Sequence, residues 1–489
     1  MTPGIQRQRG ICVGSIFLGS TILLLAGCKG PSLNGEREAR QQVRTVTESY
    51  RPNGSRPVLP VLTTNSNLGE YLKYALLNQP KVEAAYYEWM ASVERITIQR
   101  SLPDPQITFQ MDIQDVVTSL MPGLMMSFPG AGKLRAAGAV AAADSQAKYF
   151  AFKTASLESA YEVKRAYYRL YFLDEKIRVE RDTLNLLSEL EKLALNQNQV
   201  GKVTLQDVLR AQIEQDRLRT ELANLEDSRG PLLAEFKAAL GLRALEPAPP
   251  LPQRFESTSL DVTSEELFQI ALEQNTRLKG MEADLHSAEA AIQQAYRARM
   301  PDASIGVMAD VKMNPVLYRP WGTVSLPIWR DKLAAQVAEA QANKRAGEAR
   351  LTAEQINLAI DFAQRSFQFR EATRNLELLQ NQLVPKQQQS LEVARSGYVA
   401  GQIDFFNLTD AEQTLLRFSL DEVEAHTQRE LALVELSLII EGMPPTGTPT
   451  IGSKAGGMGA AVSSMGASSG GMLPGGSSPP KKSGQGQMK

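Results

Sequence analysis

This chain is written twice. Ala75-Leu76 recurs as Ala271-Leu272, Pro103-Asp104 as Pro301-Asp302, Pro129 as Pro327, and Lys133-Leu134 as Lys332-Leu333. Further on, Val200-Gly201 returns as Ala400-Gly401, and Ala211-Gln212 falls beside Ala411-Glu412-Gln413. Each copy stops at a glycine, Gly241 and Gly442. The offset stays near 200 residues throughout, so one large unit was duplicated whole. Solenoid repeats run to about 20–45 residues, which argues against a stacked array.

Within each unit the hydrophobic period changes. It begins helical, from about Leu68 to Gln99 and from about Ser264 to Ala298, and Pro103 and Pro301 close these helices. The period then drops to two. Ile107, Phe109, Met111 and Ile113 alternate with Thr108, Gln110, Asp112 and Gln114; in the second unit Ile305, Val307, Ala309, Val311 and Met313 alternate with Ser304, Gly306, Met308, Asp310 and Lys312. Such alternation puts one set on each face of a strand. Turns around Pro122-Gly123 and from Pro315 to Pro320 lead to second strands, Leu124 to Phe128 and Thr323 to Ile328. One apolar and one polar face suit a lipid-facing wall around a wet lumen, with Trp321 and Trp329 where an aromatic girdle would sit. A soluble hairpin with one buried face is the other reading of the strands alone.

The helices that follow decide between them. Lys133 to Asn198 and Lys332 to Ser396 are nearly free of Gly and Pro and rich in strong helix formers. At 1.5 Å per residue, about 65 residues span about 100 Å, too long to bury in a globular domain. Leu184, Leu187, Leu190, Leu193 and Leu195 suggest coiled-coil neighbours. Pro385 should kink the second helix or mark an irregularity. Each helix reaches a glycine turn and reverses into a shorter helix of about 38 residues.

At the N-terminus, Arg7 and Arg9 precede an apolar run from Ile11 to Ala26, which ends in Leu25-Ala26-Gly27-Cys28. This reads as a secretory signal peptide, residues 1–27. Leu-Ala-Gly-Cys resembles the lipobox of bacterial lipoproteins, which implies lipidation of Cys28; Lys29 after it implies sorting to the outer membrane. The expected mature chain then keeps one cysteine and no internal disulfide. Residues 28–66 read as an acylated, extended arm, 243–262 as a linker, and 444–489, dominated by Gly, Ser, Pro and Met, as a disordered tail. The repeats are expected at 67–242 and 263–443. A formal net charge of −1 gives no footprint for nucleic acid.

The duplicated unit, the Pro-Asp pairs that open the strands, and the two turns, Val200-Gly201-Lys202-Val203-Thr204-Leu205-Gln206-Asp207-Val208 and Ser396-Gly397-Tyr398-Val399-Ala400-Gly401-Gln402-Ile403-Asp404-Phe405-Phe406-Asn407-Leu408, resemble the TolC family of outer-membrane efflux proteins, from about Leu68 to Gly442. The resemblance implies a mainly α fold with a β-barrel part. Each protomer has two repeats of a long helical hairpin plus a two-strand β-hairpin. Three protomers close one 12-stranded barrel above an α-helical periplasmic tunnel. Four strands alone would leave open edges, which fits a homotrimer. The implied function is a passive outer-membrane channel of a tripartite efflux system, working with a periplasmic adaptor (a membrane fusion protein) and an inner-membrane pump of RND or ABC type. The glycine turns would form the tip that meets the adaptor, with Val200, Gly201, Val203, Thr204, Ala400, Gly401, Ile403 and Phe405 as candidate contacts. Some members line the constriction with two aspartates; the matching positions here are Asn407 and Asp410, so a strong cation block is in doubt. A solvated helix face is the plain reading of Asp410.

Chemistry is not expected. His286 and His426 are far apart in sequence and in no ligand-spaced cluster. Gly130-Ala131-Gly132-Lys133-Leu134 fails the Walker spacing, since Ser127 and Leu134 stand where Gly and Ser or Thr are needed. No enzyme activity, cofactor or resident metal is expected. Met458, Met465 and Met472 in the tail and Met121, Met125 and Met126 near the first strand turn raise metal export, because thioethers suit Cu(I), although Met is also a common apolar filler. A type I secretion duct is an alternative conduit. A non-channel periplasmic adaptor or coiled-coil scaffold is the alternative of another class.

Overall fold

The computed structural model describes residues 32–113, 117–201, 204–251 and 264–441. The expected signal peptide, Cys28, much of the expected linker and the Gly/Ser/Pro/Met tail lie outside them. In the first repeat, helices α2 (Leu68–Asn78) and α3 (Pro80–Arg100) lead to strands β1 (Gln106–Ile113) and β2 (Val117–Phe128). The long helix α4 (Lys133–Gln199) and its return α5 (Leu205–Ala239) follow. The second repeat has α6 (Ser264–Gln274), α7 (Thr276–Arg297), β3 (Asp302–Asp310) and β4 (Leu317–Ser325). It continues with α8 (Arg330–Leu378), a π-helical turn (Leu379–Leu383), α9 (Val384–Val399) and α10 (Phe405–Glu441).

The 67 residues of α4 span about 100 Å. The irregularity expected from Pro385 is the π turn before it: proline offers no N–H to the preceding turn, and the chain absorbs the defect as a local bulge.

Several expectations need correction. The hairpins reverse earlier than expected: Pro122 and Gly123 are inside β2, opposite Phe109 and Thr108, and Pro320 is inside β4, an edge strand that tolerates a missing N–H. Residues 29–66 are not simply an extended arm: Asn34–Tyr50 form a helix, α1. Ala39, Val43, Val46 and Tyr50 recur at three- and four-residue spacing and pack on Val82, Tyr86 and Trp89 of α3 and on Phe152 of α4. Trp89 stacks on Phe152 at 5.8 Å between ring centroids. Each opening helix is also broken in two. Pro80 at the first turn restarts the first. In the second, Asn275 caps α7 by accepting from the N–H groups of Arg277 and Leu278. Both breaks are held by the far end of their own repeat. Gln79 donates to the carbonyls of Ala238 and Ala239, and Asn275 donates to that of Ile439.

The strands form one antiparallel sheet in the order β1-β2-β3-β4, so the two hairpins join through β2 and β3. Directly opposed residues share a face. The row Ile107–Leu124–Val307–Pro320 belongs to one face, together with Phe109, Met126 and Ile305; the row Gln106–Met125–Gly306–Trp321 belongs to the other, with Ser127, Ser304 and Thr323. The apolar face is exposed: Ile107 is 71% and Phe109 72% accessible. Trp321 is therefore on the polar face and is no part of an outward girdle, and a Cβ at Gly306 would stand 2.8 Å from its indole nitrogen. The methionines divide as well. Met121 and Met125 are on the polar face, and Met126 is on the apolar one. At the base of the sheet, Lys133 reaches both carboxylate oxygens of Asp302 at 2.8 and 2.9 Å, tying the start of α4 to the second hairpin.

Candidate functional site: the helical tip

The two helical turns lie side by side. Val208 and Ala211 of α5, Ala394 and Tyr398 of α9, and Phe405 and Leu408 of α10 share one buried cluster with Leu190 and Ala194 of α4. Burying each large apolar side chain there contributes about 1.5–3 kcal/mol. The guanidinium of Arg210 also lies over the ring of Phe406, 5.8 Å from its centroid, and so links one turn to the other.

Each turn is built from local chemistry. In the second, Gly401 has φ of +72°, a left-handed conformation in which glycine carries no Cβ penalty. The N–H of Gln402 donates to Gly397 O at 2.8 Å, and that of Gly401 to Tyr398 O at 3.0 Å. This is a Schellman closure. Ile403 folds back over Gly397, where a Cβ would stand 3.3 Å from it. Asp404 then starts α10, accepting from the N–H of Asn407 at 2.9 Å. In the first turn Gly201 has φ of +74°. Thr204 and Asp207 form a reciprocal capping box at the start of α5.

The candidate tip residues separate by position. Val200, Gly201, Thr204, Ala400 and Gly401 are exposed, Ile403 is half-buried, and Phe405 is 2% exposed. Phe405 is therefore no surface contact: its ring packs against Tyr398 at 5.6 Å and holds the turns together. Val203 lies outside the described residues. Sequence reading passed over Val399, Leu205 and Phe406, which are exposed apolar groups beside the turns; each immediately precedes or follows a turn residue, and that adjacency was the available signal.

Asn407 and Asp410 are both exposed, one turn apart on α10. They line a groove of about 880 Å³ between α9 and α10 with Gln387, Glu392, Gln402 and Thr414. The groove carries acid, is walled in part by the apolar Val393 and Ile403, and has no nucleophile–base pair. Burial, and then the nearby Asp207 carboxylate, push the Tyr398 phenol up to about 12, so it stays neutral. Among the described residues no helix is long and apolar enough to cross a membrane, and no acidic, His or Cys cluster is placed to hold a metal ion.

Comparison with known proteins adds three findings. The family described as outer membrane efflux protein matches residues 71–242 and 267–441. The cobalt-zinc-cadmium resistance protein CzcC of Cupriavidus metallidurans is 23% identical over 270 residues, covering 52% of this chain and 61% of that protein. The chain thus spans about three-fifths of that curated relative. Among solved structures, CusC superposes with a TM-score of 0.67 at 15% identity, over 78% of this chain and 94% of that one. The outer membrane protein VceC from Vibrio cholerae gives 0.64 at 16%, over 77% and 96%.

Proposed function

Because the chain belongs to the outer membrane efflux protein family, we propose that it is the outer-membrane channel of a tripartite efflux system, a passive homotrimeric conduit for small molecules. One observation carries this reading: a four-stranded sheet with an exposed apolar face and two unpaired edges, mounted on helices of about 100 Å. An apolar band facing outward is what lipid requires, and open edges in lipid are costly. Three sheets edge to edge give twelve strands and no edge. A periplasmic adaptor or scaffold would need neither feature.

The exposed turn residues Val200, Gly201, Thr204, Ala400 and Gly401, with Leu205, Val399 and Phe406, are the proposed contact with a periplasmic adaptor, itself coupled to an inner-membrane pump. Residues 28–66 anchor the chain to the membrane through Cys28, and 67–242 and 263–443 are the two repeats. For cargo, the resistance relative is named for cobalt, zinc and cadmium, which supports metal ions beside drug-like molecules. Asp410, repeated three times around the tip, would favour cations there.

Single-channel recording of the purified protein in a planar bilayer tests the conduit. Discrete conductance steps are expected, with a reduced cation preference in Asp410→Ala. Steps of unchanged selectivity would remove Asp410 from the constriction, and a soluble, non-trimeric protein without steps would overturn the channel reading.

A further inference from the structure

Beside the π turn, helices α4, α9 and α10 do not close on one another. They leave a cavity of about 550 Å³, a volume that holds a drug-sized molecule. Its walls are half apolar, with Phe172 and Leu186 from α4, Val384 from α9, and Leu415 and Leu416 from α10 interleaved with charged and hydroxyl side chains. Glu412 of α10 also lines it. This residue is 2% exposed, and neither of its carboxylate oxygens has a hydrogen-bond partner. Buried polar groups are nearly always paired, so an unpaired carboxylate on this half-apolar chamber points to a missing counter-charge.

The charged neighbours do not supply one. From α4 the cavity is faced by Glu175, Arg178 and Asp182, and from α10 by Glu422 and His426. Glu214 on α5 is close enough to act on Glu412, and α9 contributes the uncharged Gln388. Acids outnumber bases. Among the described residues, however, no three acidic or imidazole groups converge as a metal site, so a small divalent ion would lack most of its oxygen shell. One fully buried carboxylate beside leucines and an aromatic ring, in a chamber of net negative charge, suits a single cationic nitrogen carried on an apolar frame.

We propose that this cavity binds an amphiphilic organic cation, with Glu412 as the counter-charge to its cationic nitrogen. The site is inside one protomer and apart from the Asn407–Asp410 groove, so it does not rest on conduction. Burial, and then Glu214, push the Glu412 carboxyl up to about 8. Burial and Arg429 lower His426, which leaves that ring neutral near pH 7. A bound cation must therefore expel the Glu412 proton below about pH 8. Affinity should rise up to tenfold per pH unit up to that point and level off above it.

The test is equilibrium fluorescence polarisation of rhodamine 6G, with anionic fluorescein as control, on the full-length protein purified in its native assembly. Saturable binding of the cationic dye is expected at one site per chain, weakened tenfold or more in Glu412→Gln with loss of the pH slope. Leu416→Phe, which narrows the chamber and leaves the charge, should weaken it too, with folding of both variants checked by thermal melts. Equal binding by the wild type and Glu412→Gln, or no saturable binding because a neighbouring copy's side chain fills the chamber, would overturn the proposal. Conductance is read separately, so failure here leaves the channel reading standing.

Discussion

Two buried acids show how the same residue type can serve opposite ends. Glu36 on α1 is 2% exposed. Burial alone would raise its carboxyl, but hydrogen bonds from Arg100, Thr97 and Arg40 outweigh that and hold it at about 2. Because the folded value is depressed below the ordinary 4.5, its contribution is fully present above that pH and is lost as pH falls through about 2. Glu36→Gln should lower stability at pH 7 by about 1–3 kcal/mol and erase the difference near pH 2, as read by urea melts. Glu180 on α4 is the reverse case. Burial, and then Glu221, raise it to about 7, so the folded chain binds its proton more tightly than the unfolded one. Stability should decline as pH rises from about 4.5 to about 7, and Glu180→Gln should raise the melting temperature at pH 8 but not at pH 4. An unchanged pH profile in that variant would exclude the assignment. Neither acid was legible in the sequence: Glu36 falls in a segment that looked polar and Pro-punctuated, and two of its three partners, Thr97 and Arg100, are 61 and 64 residues away.

At the level of elements, local signals were read well and long-range ones were not. The glycine turns, the long helices and the alternation of β1 and β3 are short-range patterns with their own energetics, and the structure has them where expected; the return strands start earlier, because Pro122-Gly123 and Pro320 read as turns but are strand residues. The breaks at Gln79 and Asn275 were missed because apolar spacing runs on across them, while their side-chain amides bond carbonyls 159–164 residues away. At the tip, Phe405 was taken as a surface residue, but it packs on Tyr398 of its own hairpin within a cluster that also includes Val208 and Ala211 of the other. The turn geometry gives a direct test. Gly401→Ala forces a Cβ into the left-handed region and should cost about 1–2 kcal/mol, measured by chemical denaturation. Gly230→Ala, at a helical glycine with open space around it, should instead be neutral or stabilising, since alanine is the better helix former. Equal effects at both sites would mean that the tip turn tolerates another conformation.

The duplication carries information about the whole assembly, because contacts between repeats inside one chain foretell contacts between chains. β2 meets β3 with Met125 opposite Gly306 and Met126 opposite Ile305. Pro129 and Pro327 differ by 198 positions, as do Pro103 and Pro301. Shifting the β2–β3 register by that offset places Thr323 of one protomer opposite Thr108 of the next, and Val324 opposite Ile107. The faces agree, since Val324 and Ile107 are on the apolar side and both threonines on the polar one. The bond from Lys133 to Asp302 likewise has its counterpart in Lys332 and Asp104, both exposed in the single chain. If three copies close as proposed, Thr108→Cys combined with Thr323→Cys should form a disulfide under mild oxidation and yield a covalent trimer on a denaturing gel. Thr108→Cys with Val324→Cys is one residue out of register and points to opposite faces, so it should not cross-link. Each single variant controls for any cross-link not made through the introduced pair. Cross-linking by the slipped pair alone would show that the inter-chain register differs from the internal one. Covalent dimers without trimers would deny a closed ring of three, and the barrel with it.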